Sequence, residues 1–121
     1  MIVAGLGFRK DAGIDSLRDA LARAGGLVIN ALATAEDKAD APQIRALAAE
    51  LALPLHAIPL KVLQNQPTLT QSPRVHARYG TGSLAEAAAL AAAGPGARLL
   101  GARVTSQDGR ATAALAERSP E

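Results

Sequence analysis

Apolar positions along the chain change period several times, and each change marks an expected element. Met1 to Leu6 is a short apolar run bounded by glycines, the pattern of a strand buried on both faces. From Ile14 the spacing turns helical: Ile14, Leu17, Leu21 and Ala24 share one face, and Asp15, Arg18, Asp19 and Arg23 lie on the other. Asp19 and Arg23 are spaced for an i,i+4 ion pair, and Gly25-Gly26 is a suitable stop. Leu27 to Leu32 reads as a second buried strand. A second helix is expected to start at 40–43, with Asp40 as cap, Pro42 in the first turn and Gln43 closing a capping box. Its buried stripe would be Ile44, Leu47, Ala48 and Leu51, and Pro54 ends it. Leu55 to Ile58 reads as a third strand. Pro59, Pro67 and Pro73 interrupt residues 59–79, which read as a long loop.

The run Ser83 to Ala93 is apolar nearly all round, so the helix it predicts is buried, either in this domain or against another chain. Gly94-Pro95-Gly96 terminates it. Arg98 to Thr105 and Ala111 to Glu117 flank Asp108-Gly109, a hairpin signal. Three strand–helix alternations followed by a hairpin predict an α/β fold. The expected form is a single domain over 1–121, three-layer αβα, with a mixed, mostly parallel sheet and a C-terminal β-hairpin.

Composition changes this picture in one respect. Of the 59 apolar residues, 29 are Ala, and the 121-residue chain has one Phe, one Tyr and no Trp. Each Ala buries little apolar surface, so the elements must approach closely across Ala faces or be covered by a partner. The scarcity of aromatic rings argues against stacking-based nucleic-acid recognition. The absence of Cys excludes disulfides, thiolate metal sites and cysteine nucleophiles. No metal or cofactor is expected. No stretch has the length and pattern of a targeting or membrane-spanning segment, which leads to the expectation of a cytoplasmic protein with neither membrane nor nucleic acid as partner.

The net charge is only +2. Its distribution carries more: no acidic residue lies between Leu51 and Ala85, where Lys61, Arg74, Arg78, His56 and His76 all fall. A surface lined by that stretch would attract anions.

Three segments could carry chemistry. Gly5-Leu-Gly7-Phe8-Arg9-Lys10 follows the first strand, where α/β sheets bind ligands, but Lys10 replaces the third glycine of a dinucleotide fingerprint. Arg9 and Lys10 suit a carboxylate or phosphate; the alternative is a turn with two solvated cations. Gly80-Thr81-Gly82-Ser83 precedes the Ala-rich helix and could converge backbone N–H groups on an anion, with Arg74 and Arg78 nearby. Ser83 and Glu86 alternatively form no more than a capping box. Thr70 and Ser72 with Arg74 offer hydroxyls and a guanidinium, or a plain ST-turn. His56 reads as a core residue. No catalytic residue is assigned; His76 and Glu86 are candidates for activating water.

Gly5-Leu-Gly-Phe-Arg-Lys10, Thr70-x-Ser72-Pro73-x-Val75 and Tyr79-Gly-Thr-Gly-Ser-Leu-Ala-Glu-Ala-Ala-Ala-Leu90, with the closing Gly109-Arg-Ala-Thr-Ala-Ala-Leu-Ala116, resemble the cobalamin-biosynthesis family that contains CobE and the C-terminal domain of CbiG. The resemblance spans essentially the whole chain, and as a stand-alone domain it looks more like the CobE type. It implies a role in making the corrin ring. In the family, CbiG opens a ring lactone and releases acetaldehyde, while the CobE type lacks the amino-terminal part of CbiG. Phe8 stands where the family often has Cys, so thiol chemistry is not carried over.

Three functions follow as expectations. The first is a binding or accessory protein holding a polycarboxylate precorrin or corrinoid intermediate through Gly5, Gly7, Arg9, Lys10, Thr70, Ser72, Arg74, Arg78 and Gly80 to Ser83. The second is a lactone hydrolase with the 80–83 turn as oxyanion hole. The third is a non-catalytic partner whose helix 83–93 docks another corrin-synthesis enzyme or a second copy of itself.

Overall fold

The computed structural model of the protein describes residues 1–25 and 28–119. Its elements are β1 (Ile2–Phe8), α1 (Ile14–Ala24), β2 (Ala31–Ala35), α2 (Pro42–Leu51), β3 (Leu55–Ile58), α3 (Leu60–Gln64), α4 (Pro73–Tyr79), α5 (Leu84–Ala93), β4 (Arg98–Leu99), β5 (Val104–Thr105) and β6 (Ala111–Glu117). The sheet order is β3-β2-β1-β6-β4, with β5 also paired to β6. β1, β2 and β3 are mutually parallel, β6 is antiparallel to β1, and β4 and β5 are antiparallel to β6. Among the described strands β6 alone runs against the common direction. The sheet is mixed, as expected, but because β6 pairs with three strands, three of its five pairings are antiparallel, rather than most being parallel. β5 and β6 form the C-terminal hairpin, with Gly109 at φ 74 in its turn. No helix among the described residues is long and apolar enough to cross a membrane.

Two helical layers cover the sheet. α1 and α2 place Leu17, Ala20, Ile44 and Leu47 on Ala4, Leu6, Leu32 and Leu115. The other face is built from small residues: Ala31, Ala33 and Ala35 of β2 alternate toward α5 and pack with its Ala87, Ala88 and Leu90. Gly5 completes this face. A Cβ added there would overlap the Ala85 carbonyl oxygen and lie 2.7 Å from the Ala89 nitrogen. The missing side chain lets the α5 backbone rest directly on β1. All of α5 except Ala91 and Ala92 is buried within this domain. The all-round apolar pattern is thereby explained by burial within this domain.

Several local expectations are corrected. β2 begins at Ala31, not Leu27, because pairing with β1 sets Val3 opposite Ala31. Leu27 itself lies outside the described residues, and Val28 is exposed. α2 starts from Ala41 with no side-chain cap: Asp40 pairs with Arg45, and the Gln43 amide donates to the Ala12 carbonyl at 3.0 Å. Residues 59–79 are not one long loop: Pro59 is the N-cap of α3 and Pro73 the first residue of α4, and only 65–72, with Pro67, is irregular. Proline's fixed φ and missing N–H suit it to open helices as well as break them. His56 is exposed rather than in the core, because β3 is the sheet's edge strand.

Glu86 departs furthest from expectation. Ser83 caps α5 by accepting from the Glu86 N–H at 3.2 Å, but the Glu86 carboxylate does not return the bond. Wholly buried, it accepts from the N–H groups of Leu69 (2.5 Å) and Thr70 (3.0 Å), the Thr70 hydroxyl (2.5 Å) and the Arg103 N–H (2.8 Å). Burial pushes its pKa up, and the four hydrogen bonds outweigh that, leaving it below the usual carboxylate value. The side chain thus ties the segment before α4 and the segment before β5 to the first turn of α5. Asp108 plays a similar part in the hairpin turn. The Ser106 and Ser16 hydroxyls and the Arg110 N–H hold its pKa down to about 2.

Gly5→Ala should lower stability by about 1–3 kcal/mol or more in urea unfolding, the range for overpacking, since the neighbour is backbone. Gly13→Ala, where an added Cβ meets nothing within 4 Å, should leave the midpoint within about 1 kcal/mol. Glu86→Gln should cost about 2 kcal/mol or more, because its amide turns a donor toward donors. For Glu86 and Asp108 the folded pKa is depressed, so their stabilisation is complete above the unfolded carboxylate range near pH 4. The melting temperature should hold from neutral pH to about 5 and fall from about 4 toward 2; a fall beginning above pH 6 would contradict the assignment.

Candidate functional site

A hollow of about 530 Å³ opens at the carboxyl ends of β1 and β5, beside the start of β6. Ligands of open α/β sheets bind in this position, because the loops leaving parallel strands converge there. β1 and the turn after it supply Gly7, Phe8, Arg9 and Lys10, and the turn after β2 supplies Lys38. α4 and its cap contribute Ser72, Arg74, Val75, Arg78 and Tyr79, and α5 its first residue, Leu84. The hairpin closes the far side with Arg103, Thr105 and Gly109 to Thr112. Arg9, Lys10, Lys38, Arg74, Arg78, Arg103 and Arg110 make up seven of the chain's 13 Lys and Arg residues, and among the described residues no Asp, Glu or His lines the same hollow.

The cations differ in their engagement. Arg78 meets Asp37 at 3.2 Å and lies 5.3 Å from the centre of the Tyr79 ring, and the Tyr79 hydroxyl donates to the same carboxylate at 3.2 Å. Burial raises the Tyr79 pKa. Lys38 donates to the Phe8 carbonyl at 2.7 Å and lies 4.8 Å from the Phe8 ring centre. Burial lowers its pKa, and the neighbouring Arg78 adds to the effect against the pull of Asp37. Arg110 is 4.0 Å from Asp11. The side chains of Arg9, Lys10, Arg74 and Arg103 carry no ion pair or hydrogen bond among the described residues. A smaller hollow of about 370 Å³, lined by Asp37, Ile58, Leu60 and Leu63 among others, adjoins across Arg78 and Tyr79.

Of the residues singled out in the sequence, Gly7, Arg9, Lys10, Ser72, Arg74 and Arg78 meet in this hollow. The others stand behind it. Gly5 packs on α5, and the Thr70 hydroxyl is taken by Glu86. Gly80 ends α4 at φ 70, its N–H donating to the His76 carbonyl at 2.9 Å. The Gly82 carbonyl accepts from the Ser72 N–H at 2.8 Å, and a Cβ on Gly82 would overlap the Thr70 carbonyl oxygen. Thr81 and Ser83 are buried. The 70–72 segment packs directly against this turn, and the Gly82 position has no room for a side chain. His76 is exposed and outside the hollow. Glu86 has a donor on each of its four acceptor sites, so it has none left to activate water.

Lys38, Arg103 and Arg110 were missed. The rule that led to Arg9, applied to the end of β2, would have found Lys38, had the Ala-rich stretch 31–35 been recognised as the strand. Arg103 and Arg110 enter only because β6 returns beside β1, a pairing 105 residues apart in sequence for Gly7 and Thr112. Among the described residues no group of three His, Cys, Asp or Glu is placed to hold a metal.

Comparison with known proteins agrees with this architecture. Residues 2–116 match the family model described as cobalamin synthesis G C-terminus. The structure of CobE, a protein from the cobalamin (vitamin B12) biosynthetic pathway, is 35% identical, with a TM-score of 0.89 over 99% of this chain and 95% of that one. The cobalamin biosynthesis protein chiG from Agrobacterium tumefaciens str. C58 is 34% identical, with a TM-score of 0.75 over 99% of this chain and 100% of that one. A putative cobalamin biosynthesis protein G homolog from Sulfolobus solfataricus, 22% identical, shares the fold at a TM-score of 0.71, over 95% of this chain and 36% of its own. No curated protein matches the sequence. With the family model covering nearly the whole chain and two full-length structural relatives above 30% identity, the protein belongs to the cobalamin synthesis G C-terminus family and to cobalamin biosynthesis.

Proposed function

We propose that the protein binds a corrinoid or precorrin intermediate bearing several carboxylates, in an accessory or carrier role, and that the cationic hollow is where it binds. The observation that carries this reading is the gathering of seven cations around one hollow that, among the described residues, no carboxylate lines. Phe8, Val75, Tyr79 and Leu84 give the same hollow an apolar component. A ligand that suits both is a flat apolar ring system with acidic arms, which is the chemistry of a corrin-ring intermediate before its acids are modified.

The energetics favour several weak contacts over one strong one. Each exposed cation contributes about 0–1 kcal/mol to a carboxylate contact. Useful affinity therefore requires convergence, together with apolar contact and groups held in place beforehand. The hydrolytic alternative has less support: His76 is outside the hollow, Glu86 is saturated, and Gly80 to Ser83 do not line the hollow.

Titrating the folded protein with hydrogenobyrinic acid at low salt should shift the ligand's visible spectrum saturably. Arg74→Ala should weaken binding about two- to fivefold, as expected for one exposed contact. Arg78→Ala should weaken it more, since it also leaves Asp37 without its cation. Raising the salt to about 1 M should weaken the wild type, because exposed charges are screened. A flat titration with intact protein would overturn the proposal.

A further inference from the structure

Of the chain's three lysines, Lys10 and Lys61 are exposed and Lys38 is half-buried in the wall of the larger hollow. The Lys38 Nζ donates to the Phe8 carbonyl at 2.7 Å, which holds the amine against the end of β1, and it makes no ion pair among the described residues. Its chain neighbour Asp37 turns both oxygens to Arg78 and the Tyr79 hydroxyl. The other charged groups lining the hollow are cations: Arg9 and Lys10 after β1, Arg74 and Arg78 on α4, Arg103 and Arg110 on the hairpin side. Burial and the positive charge of Arg78 favour the free amine of Lys38, whereas Asp37 and the face of the Phe8 ring, 4.8 Å from Nζ, favour the ammonium. The first two prevail, and the Lys38 pKa lies below the ordinary lysine value.

A lysine desolvated beside other cations has a lone pair to offer, and that is the setting in which lysines attack carbonyl groups. We propose that Lys38 is a nucleophile: the hollow takes a small aldehyde or ketone that also carries a carboxylate, and Lys38 joins it reversibly as an imine. The guanidinium groups hold the carboxylate, and the Phe8 carbonyl keeps Nζ in place. The nitrogen lone pair attacks the carbonyl carbon. The carbonyl oxygen collects the two hydrogens that nitrogen loses, relayed through solvent in the open hollow, and leaves as water. One C=O and two N–H bonds are thus exchanged for one C=N bond and a water molecule, with no oxidant or reductant involved. The proposal rests on the hollow as a ligand site but not on the ligand being a corrinoid, so the two readings can fail separately.

The folded protein is incubated with glyoxylate and cyanoborohydride at neutral pH, which reduces any imine to a stable carboxymethyl amine, and the three lysines are compared by peptide mass spectrometry. Lys38 should be labelled about tenfold or more faster than Lys10 and Lys61. Its rate should reach a plateau below the pH range of ordinary lysine side chains. Lys10 shares the hollow and its positive field, so equal labelling of Lys10 and Lys38 would assign the effect to local enrichment of an anion and overturn the nucleophile. Labelling of Lys38 no faster than Lys61 would overturn it as well. Glycolaldehyde, an uncharged aldehyde of similar size, should narrow the lead of Lys38 about two- to fivefold; an unchanged lead would remove the carboxylate from the ligand class. Fast labelling of Lys38 beside a flat hydrogenobyrinic acid titration would overturn the corrinoid reading and support this one.

Discussion

The site depends on how closely α5 can approach the sheet. Helix and sheet usually stand apart by the length of the side chains between them. Here Gly5 has none, and β2 offers only Ala31, Ala33 and Ala35. The separation is set by backbone and methyl groups, so a composition poor in bulky residues still yields a close-packed layer. One consequence is positional. With α5 seated on β1, its first residue Leu84 comes against Gly7, and α4, immediately before it in the chain, is brought over the carboxyl end of β1. A bulkier residue at position 5 would lift α5 and carry α4, with Arg74 and Arg78, away from Arg9 and Lys10.

Charge in the site is shaped by where the acids go. Glu86 is the only acidic residue between Glu50 and Asp108. Were it on the surface near α4, it would neutralise part of the hollow. It is instead folded inward at the first turn of α5, where the helix dipole favours a negative charge and four donors satisfy it. Its burial thus does two things at once: it fastens the 69–70 and 103 segments, and it leaves Arg74 and Arg103 facing the hollow without an opposing carboxylate.

What the sequence made legible follows from where the physics is local. α1 was readable because an amphipathic period of 3.6 is written into Ile14, Leu17 and Leu21, and its Asp19–Arg23 pair forms at 3.0 Å. β3 and the hairpin were readable from apolar runs and turn residues. The displaced β2 shows the limit: an Ala-rich strand has no β propensity of its own and is a strand only because β1 and β3 flank it. Glu86 shows the other limit. Its position three residues after Ser83 is the spacing of a capping box, and only tertiary contacts with Thr70 and Arg103 divert it. The cationic half of the site was visible on β1 and α4, whereas Lys38, Arg103 and Arg110 required knowledge of which strands are neighbours.

Asp37 and Lys38 show how adjacent residues of opposite charge can serve one site without cancelling. The turn after β2 sends Lys38 into the larger hollow and Asp37 into the smaller, where Asp37 binds Arg78 and the Tyr79 hydroxyl. The Arg78–Asp37 pair is substantially exposed and contributes little to stability by itself. Its effect is on geometry: Arg78 is held between a carboxylate and an aromatic ring, so fewer rotamers are lost when a ligand arrives. The entropic cost of ordering a flexible guanidinium is thereby met in the unliganded fold, which lets a weak contact count toward affinity. The unpaired Arg9, Lys10 and Arg74 lack that restraint and remain free to follow carboxylates whose positions differ from one intermediate to the next.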